Sequence, residues 1–189
     1  MAKKLNFLFP VLTIAVMLSL NTAANSENLK SLEEKTLIKK QKNIQLTNWF
    51  DYKRGLFVAS QENKYILLNF CLKDNLYCNK LDEKTFTNSN IKKYLKENFV
   101  PVKIDAEANN QMNINNKKIT ENDLLKEFAI EGFPTIAFLD SQGQPVGGSV
   151  KGYLEPEKLI HVLKFIATDA YKDMNFKDFF TKEEKIKSS

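Results

Sequence analysis

The sequence predicts an α/β domain with a central mixed β-sheet flanked by helices on both faces, and three features carry that prediction. Tyr65 to Leu72 and Phe99 to Ile104 are nearly continuous apolar runs, as expected of strands covered on both sides. The residues between them have helical spacing, so a right-handed crossover joins the two strands and sets them parallel. A third run, Thr135 to Leu139, is followed by a turn at Ser141 to Gly143 and by Pro145 to Val150, which reads as a hairpin.

The chain begins differently. Lys3 and Lys4 precede an apolar run from Leu5 to Leu20 and the small residues Thr22, Ala23 and Ala24, the pattern of a secretory signal peptide. The run is shorter than the ~20 residues a spanning helix needs and contains Pro10, Thr13 and Ser19. Residues 1–24 are therefore expected to be removed after Ala24, leaving no membrane anchor. That implies a periplasmic or secreted protein in an oxidising compartment, where paired thiols become disulfides.

Residues 25–43 form a polar, lysine-rich leader with a weak helical pattern at Leu29, Leu32 and Leu37, and the domain proper spans 44–168. Asn48 is a plausible cap for a helix from Trp49 to Glu62, in which Trp49, Tyr52, Leu56 and Ala59 share a face. Gly55 interrupts it at a cost of ~1 kcal/mol, and Trp49 reads as a core anchor. After the first strand, helices are expected from Asn75 into Lys84 and from Asn90 to Glu97. Ala106 to Lys118 is asparagine-rich and reads as a surface loop, with a short hairpin around Met112 to Ile114. Thr120 and Asp123 have the spacing of a capping box and open a helix carrying Leu124, Leu125 and Phe128. Pro156 suits the first turn of a last helix bearing Leu159, Ile160, Leu163 and Ile166. On that helix His161 reads as a surface or helix-face residue. Residues 169–189 are an amphipathic extension, with Phe176, Phe179 and Phe180, ending in a charged tail. It is expected to pack on its own domain, with docking on a partner as the alternative.

Composition removes several function classes. A chain of 189 residues, 43% hydrophobic and 27% charged, supports one core. The net charge of +5 is almost all lysine, Arg54 being the only arginine, and falls to +3 without Lys3 and Lys4. The charges are scattered, so no nucleic-acid partner is indicated. Two cysteines and one histidine are too few for a structural zinc site. No phosphate-binding glycine loop or nucleophile elbow is present, and no metal or cofactor is expected.

The junctions carry a resemblance. The run Ile66-Leu67-Leu68-Asn69-Phe70-Cys71-Leu72-Lys73-Asp74-Asn75-Leu76-Tyr77-Cys78 aligns without a gap with the strand and Trp-Cys-x-x-Cys turn of the thioredoxin superfamily, and Gly132-Phe133-Pro134-Thr135 matches its cis-proline loop. The continuations Asn79-Lys80-Leu81, Phe99 to Asp105 and Gly152-Tyr153 resemble a periplasmic subgroup containing sulfur-oxidation thioredoxins and thioredoxin-related disulfide reductases. The resemblance spans about Asn43 to Ala167 and implies the thioredoxin fold, with a cis-proline loop before the hairpin.

It also implies damaged chemistry. The family's leading cysteine works because the free N–H groups and dipole of a helix N-terminus stabilise its thiolate. Here that position is Asn75, the tryptophan position is Asp74, and Cys78 remains alone in a degenerate motif. Asn69 stands where the family often has a buried acid that takes up a proton. Cys78 thus reads either as a small buried hydrophobe or as a weak redox group. Cys71 lies on the same strand face as Asn69, and a bond to Cys78 requires their Cα atoms within ~7 Å. An exported chain with two cysteines favours such a bond. The resemblance assigns the Cys71 position to an aromatic, and the balance of the reading falls against a stable disulfide. Two functions follow: a redox-impaired module of thiol/disulfide metabolism that binds an extended polypeptide or thiol protein along Phe133 and Pro134, beside Asp74 and Tyr77; or a thiol:disulfide oxidoreductase using Cys78 alone or Cys71 with Cys78.

Overall fold

The computed structural model describes residues 48–187 except residue 115. The expected signal peptide and polar leader lie outside the described residues. The elements run α1 (Tyr52–Glu62), β1 (Tyr65–Cys71), α2 (Leu76–Lys80) continuing as a π-helical turn (Leu81–Thr85), α3 (Ser89–Asn98), β2 (Phe99–Asp105) and the small hairpin β3 (Met112–Ile114) and β4 (Lys117–Ile119). Then come α4 (Glu121–Glu127), β5 (Thr135–Leu139), β6 (Pro145–Lys151), α5 (Pro156–Ala167), a 3-10 turn (Ala170–Lys172) and α6 (Phe176–Lys187). None of the described helices is long and apolar enough to cross a membrane.

The main sheet has the order β2-β1-β5-β6. β1 and β2 are parallel, from Tyr65 opposite Phe99 to Cys71 opposite Asp105, as the crossover predicts. β5 runs antiparallel to both β1 and β6, and a register shift between Ala137 and Phe138 marks a bulge. The mixed sheet of the sequence reading is thus the sheet observed.

Side-chain alternation along β1 explains its unbroken apolar run. Leu67 points into a core with Ile136, Phe138, Leu81, Leu95 and Leu163, beneath α2, α3 and α5. Ile66, Leu68 and Phe70 point the other way, to Val100, Val102 and Ala59, beneath α1. Each such buried side chain contributes roughly 1.5–3 kcal/mol, so both faces of the strand must be apolar.

Three local expectations need correction. The first helix starts at Tyr52, and its cap is Asp51, whose Oδ1 accepts from Arg54 N–H at 2.8 Å; Asn48 does not cap it. The reason is Phe50, which adds a parallel bridge beside Val102, donating to Pro101 O at 2.9 Å and accepting from Lys103 N–H at 3.1 Å. That ladder requires extended backbone, so the helix cannot begin earlier. Asn88, and not Asn90, opens α3, accepting from the N–H groups of Asn90 and Ile91. His161 is only 3% exposed, because α6 folds back over α5 and covers it. Phe179 of α6 is buried, and its ring stands 5.3 Å from that of Phe165. Trp49 is half-buried, edge-on to Phe86 at 4.8 Å, so it anchors the margin of the core.

Candidate functional site

The turn between β1 and α2 is shaped by Asn75. Its backbone is extended and its Oδ1 accepts from the N–H groups of Tyr77 at 3.0 Å and Cys78 at 3.1 Å. Two of the unpaired donors of a helix start are thereby satisfied. The position where a thiolate would draw on those same donors is occupied by a neutral amide cap.

Cys71 and Cys78, the two cysteines of the chain, are joined in a disulfide with Cα atoms 5.8 Å apart. The expectation leaning against a stable bond is therefore overturned. Cys71 ends β1 on the sheet face that α2 covers, and Cys78 lies in the first turn of α2, facing back to that sheet. The intervening turn is drawn in by Asn75 N–H donating to Leu72 O at 3.3 Å, and the end of β1 is held by Ala106 N–H donating to Cys71 O at 2.9 Å. Both cysteines are buried, Cys71 at 3% exposed and Cys78 at 2%.

Asn69 is wholly buried on the same face, with its Oδ1 3.5 Å from Cys71 Sγ. A disulfide sulfur carries no proton, so this approach is a contact and not a hydrogen bond. Among the described residues the Asn69 Nδ2 has no hydrogen-bond partner, and a carboxamide cannot take up a proton near neutral pH. No base stands at this position beneath the bond.

The Phe133–Pro134 peptide bond is cis. Pro134 is buried and Phe133 half-buried. Thr135 Oγ1 donates to Gly132 O at 2.7 Å, and Gly152 N–H donates to Pro134 O at 2.8 Å. Since Thr135 pairs with Phe70, Pro134 lies at the end of the sheet where Cys71 sits. Cys71, Cys78 and Asn69 are thus gathered beneath the surface, with the half-buried Asn75 at the head of α2 and Phe133 and Pro134 at the same sheet end. Asp74 and Tyr77 stand exposed on the turn above the bond. Sequence reasoning missed Leu76, which is 74% exposed beside Tyr77 at 55%. Its signal was a large apolar side chain in an otherwise polar turn. Among the described residues no group of three His, Cys, Asp or Glu side chains is placed to hold a metal.

A mixed sheet with strand order β2-β1-β5-β6, a reactive-turn helix after β1 and a cis-proline loop before β5 define a thioredoxin-fold protein. The sequence profile of the thioredoxin-like domain matches residues 52–167, and the chain belongs to that family. A thiol:disulfide interchange protein DsbD from Photorhabdus laumondii is 24% identical over 112 residues, which are 59% of this chain and 18% of that protein. The chain thus spans about a fifth of the length of the curated relative it matches. A thioredoxin-fold protein from Helicobacter pylori superposes with a TM-score of 0.53 at 24% identity, covering 66% of this chain and 82% of that one. A thioredoxin from Thermus thermophilus gives 0.52 at 16% identity, covering 64% and 86%. These structural likenesses establish the fold.

Proposed function

We propose that the chain is an exported, redox-silent thioredoxin-like module, akin to the periplasmic thioredoxin-related subgroup, that binds extended polypeptide in thiol/disulfide metabolism. The observation that carries this reading is the burial of both sulfurs in one bond while an amide caps α2. Thiol exchange needs a thiolate in line with an accessible sulfur. The native protein offers neither, and the bond acts as a staple between β1 and α2. What remains for a client is the backbone of Phe133 at the cis-proline loop, at the same end of the sheet as the exposed Leu76 and Tyr77, a surface suited to pairing with an extended segment. The pattern of residues 1–24 supports export, which predicts a mature N-terminus at Asn25 in the exported protein.

The test has two arms. In an insulin-reduction assay the native protein shows no turnover; turnover at the rate of a two-cysteine thioredoxin overturns the silent reading. In the second arm an unfolded polypeptide with alkylated thiols binds the native protein, and Pro134→Ala abolishes the binding. Equal binding by that variant rules out the cis-proline loop as the client site.

The likeness to a thiol:disulfide interchange protein favours one other reading, in which Cys71–Cys78 accepts two electrons from a client dithiol, opening to two thiols as the client leaves oxidised. Turnover lost in both Cys71→Ala and Cys78→Ala variants would select it.

A further inference from the structure

On the far side of α5 from the disulfide turn lies a cleft that the redox chemistry does not use. It is about 420 Å³ in volume, enclosed by β5 and β6, α5 and α6. Phe138 forms its floor and Val162, Phe165 and Ile166 one wall, while α6 supplies Phe176 and Phe180 at the rim, each 38% exposed. A side chain at Gly147 would bring its Cβ within 2.1 Å of Ile166 Cδ1, so the glycine lets β6 approach the helix that walls the cleft. Lys158 supplies the charge of the lining; Ser149 borders the cleft along β6 but pairs with Ala137, whose side chain lies in the core on the opposite sheet face. Lys158 is exposed and forms no ion pair among the described residues, whereas Lys151 pairs with Glu131 and Lys164 with Glu183, both at 2.6 Å.

We propose that this cleft binds a single-chain amphiphile with one carboxylate, a molecule of the fatty-acid class, with its chain along α5 and its head at Lys158. The volume lies within the ~300–1,000 Å³ usual for small-ligand sites, and a carbon lining favours an apolar occupant. A peptide would carry amide groups against the side chains of Phe138, Val162, Phe165 and Ile166, which offer them no polar partner, and each unmatched amide opposes binding. A methylene chain brings none. The unpaired ammonium at the mouth complements one carboxylate, and a lysine stem can lie along apolar surface while its charge stays in water.

Displacement of a dansylated undecanoate from the purified protein by octanoate, decanoate and dodecanoate tests this. Affinity is expected to rise about fourfold for each added methylene. Lys158→Gln should weaken dodecanoate about two- to fivefold and leave dodecanol unchanged, and Val150→Trp, at a half-buried lining residue on the cleft face of β6, should block both while keeping the native circular dichroism. The proposal is overturned by no displacement by dodecanoate, by unchanged binding in a folded Val150→Trp variant, or by equal effects of Lys158→Gln on acid and alcohol. A dimer that dodecanoate fails to dissociate would assign the cleft to a second copy of the chain, and overturns it as well.

Discussion

At the scale of single residues, the chemistry turns on Asn75. An amide oxygen caps α2 through the same N–H groups that would stabilise a thiolate, and the proposed redox silence rests on that cap. The double variant Asn75→Cys, Cys71→Ala should regain a Cys-x-x-Cys turn and reduce insulin measurably, though slowly, since Asn69 supplies no base. No gain over the native protein would show that the cap does not limit the reactivity of the turn. The disulfide itself is a matter of chain entropy. Closing a loop with a sequence separation of 7 is worth about 2.5 kcal/mol. Cys71→Ala should lose about that much in urea unfolding, and adding reductant should narrow its gap from the native protein.

At the scale of elements, α1 shows how a helix accepts an unfavourable residue. Gly55 costs ~1 kcal/mol by propensity, yet an alanine there would bring its Cβ within 2.2 Å of Val102 Cγ2. Overpacking of that kind typically costs about 1–3 kcal/mol. Gly55→Ala should therefore destabilise the fold despite the gain in helix propensity, and adding Val102→Ala should relieve it, giving a double variant more stable than the two singles sum to. Denaturation of all four proteins measures the coupling; simple additivity would show that the contact does not hold α1 in place. The helices were largely legible, because caps and spacing act within four residues. Thr120 and Asp123 form the reciprocal capping box that their spacing suggests. The start of α1 was not legible, because its limit is set by Phe50 bonding to β2, some fifty residues away along the chain.

At the scale of the whole molecule, the C-terminal extension is tied to the sheet. Asp169, in the left-handed region at φ 60°, accepts from Tyr65 Oη at 2.5 Å and from Lys172 Nζ at 2.7 Å. The Lys172 bond first, and the Tyr65 bond after it, hold the Asp169 carboxyl below its ordinary value of 3.8. A depressed carboxyl contributes stability that is complete above the ordinary value and is lost as pH falls through the folded one. Asp169→Asn keeps a side chain that tolerates this backbone. Its deficit in thermal midpoint should be constant near neutrality and shrink as pH drops below 3.8; a deficit unchanged by pH would remove the charge from the account. The same extension buries His161, which lies 4.9 Å from the Phe180 ring, with Glu183 and Glu184 at 3.8 and 3.5 Å. Nothing near His161 in the chain announces that cover.

The sequence by itself determined the architecture and the asparagine that caps the helix after β1. Apolar runs, helical spacing, turn residues and caps all express interactions between near neighbours, and these survive in any context the chain adopts. Only the tertiary structure decided that Cys71 and Cys78 bond, that Phe50 delays the start of the first helix and that His161 is buried. Each depends on how far apart two separately formed elements come to rest, a distance set by the packing of side chains between sheet and helix.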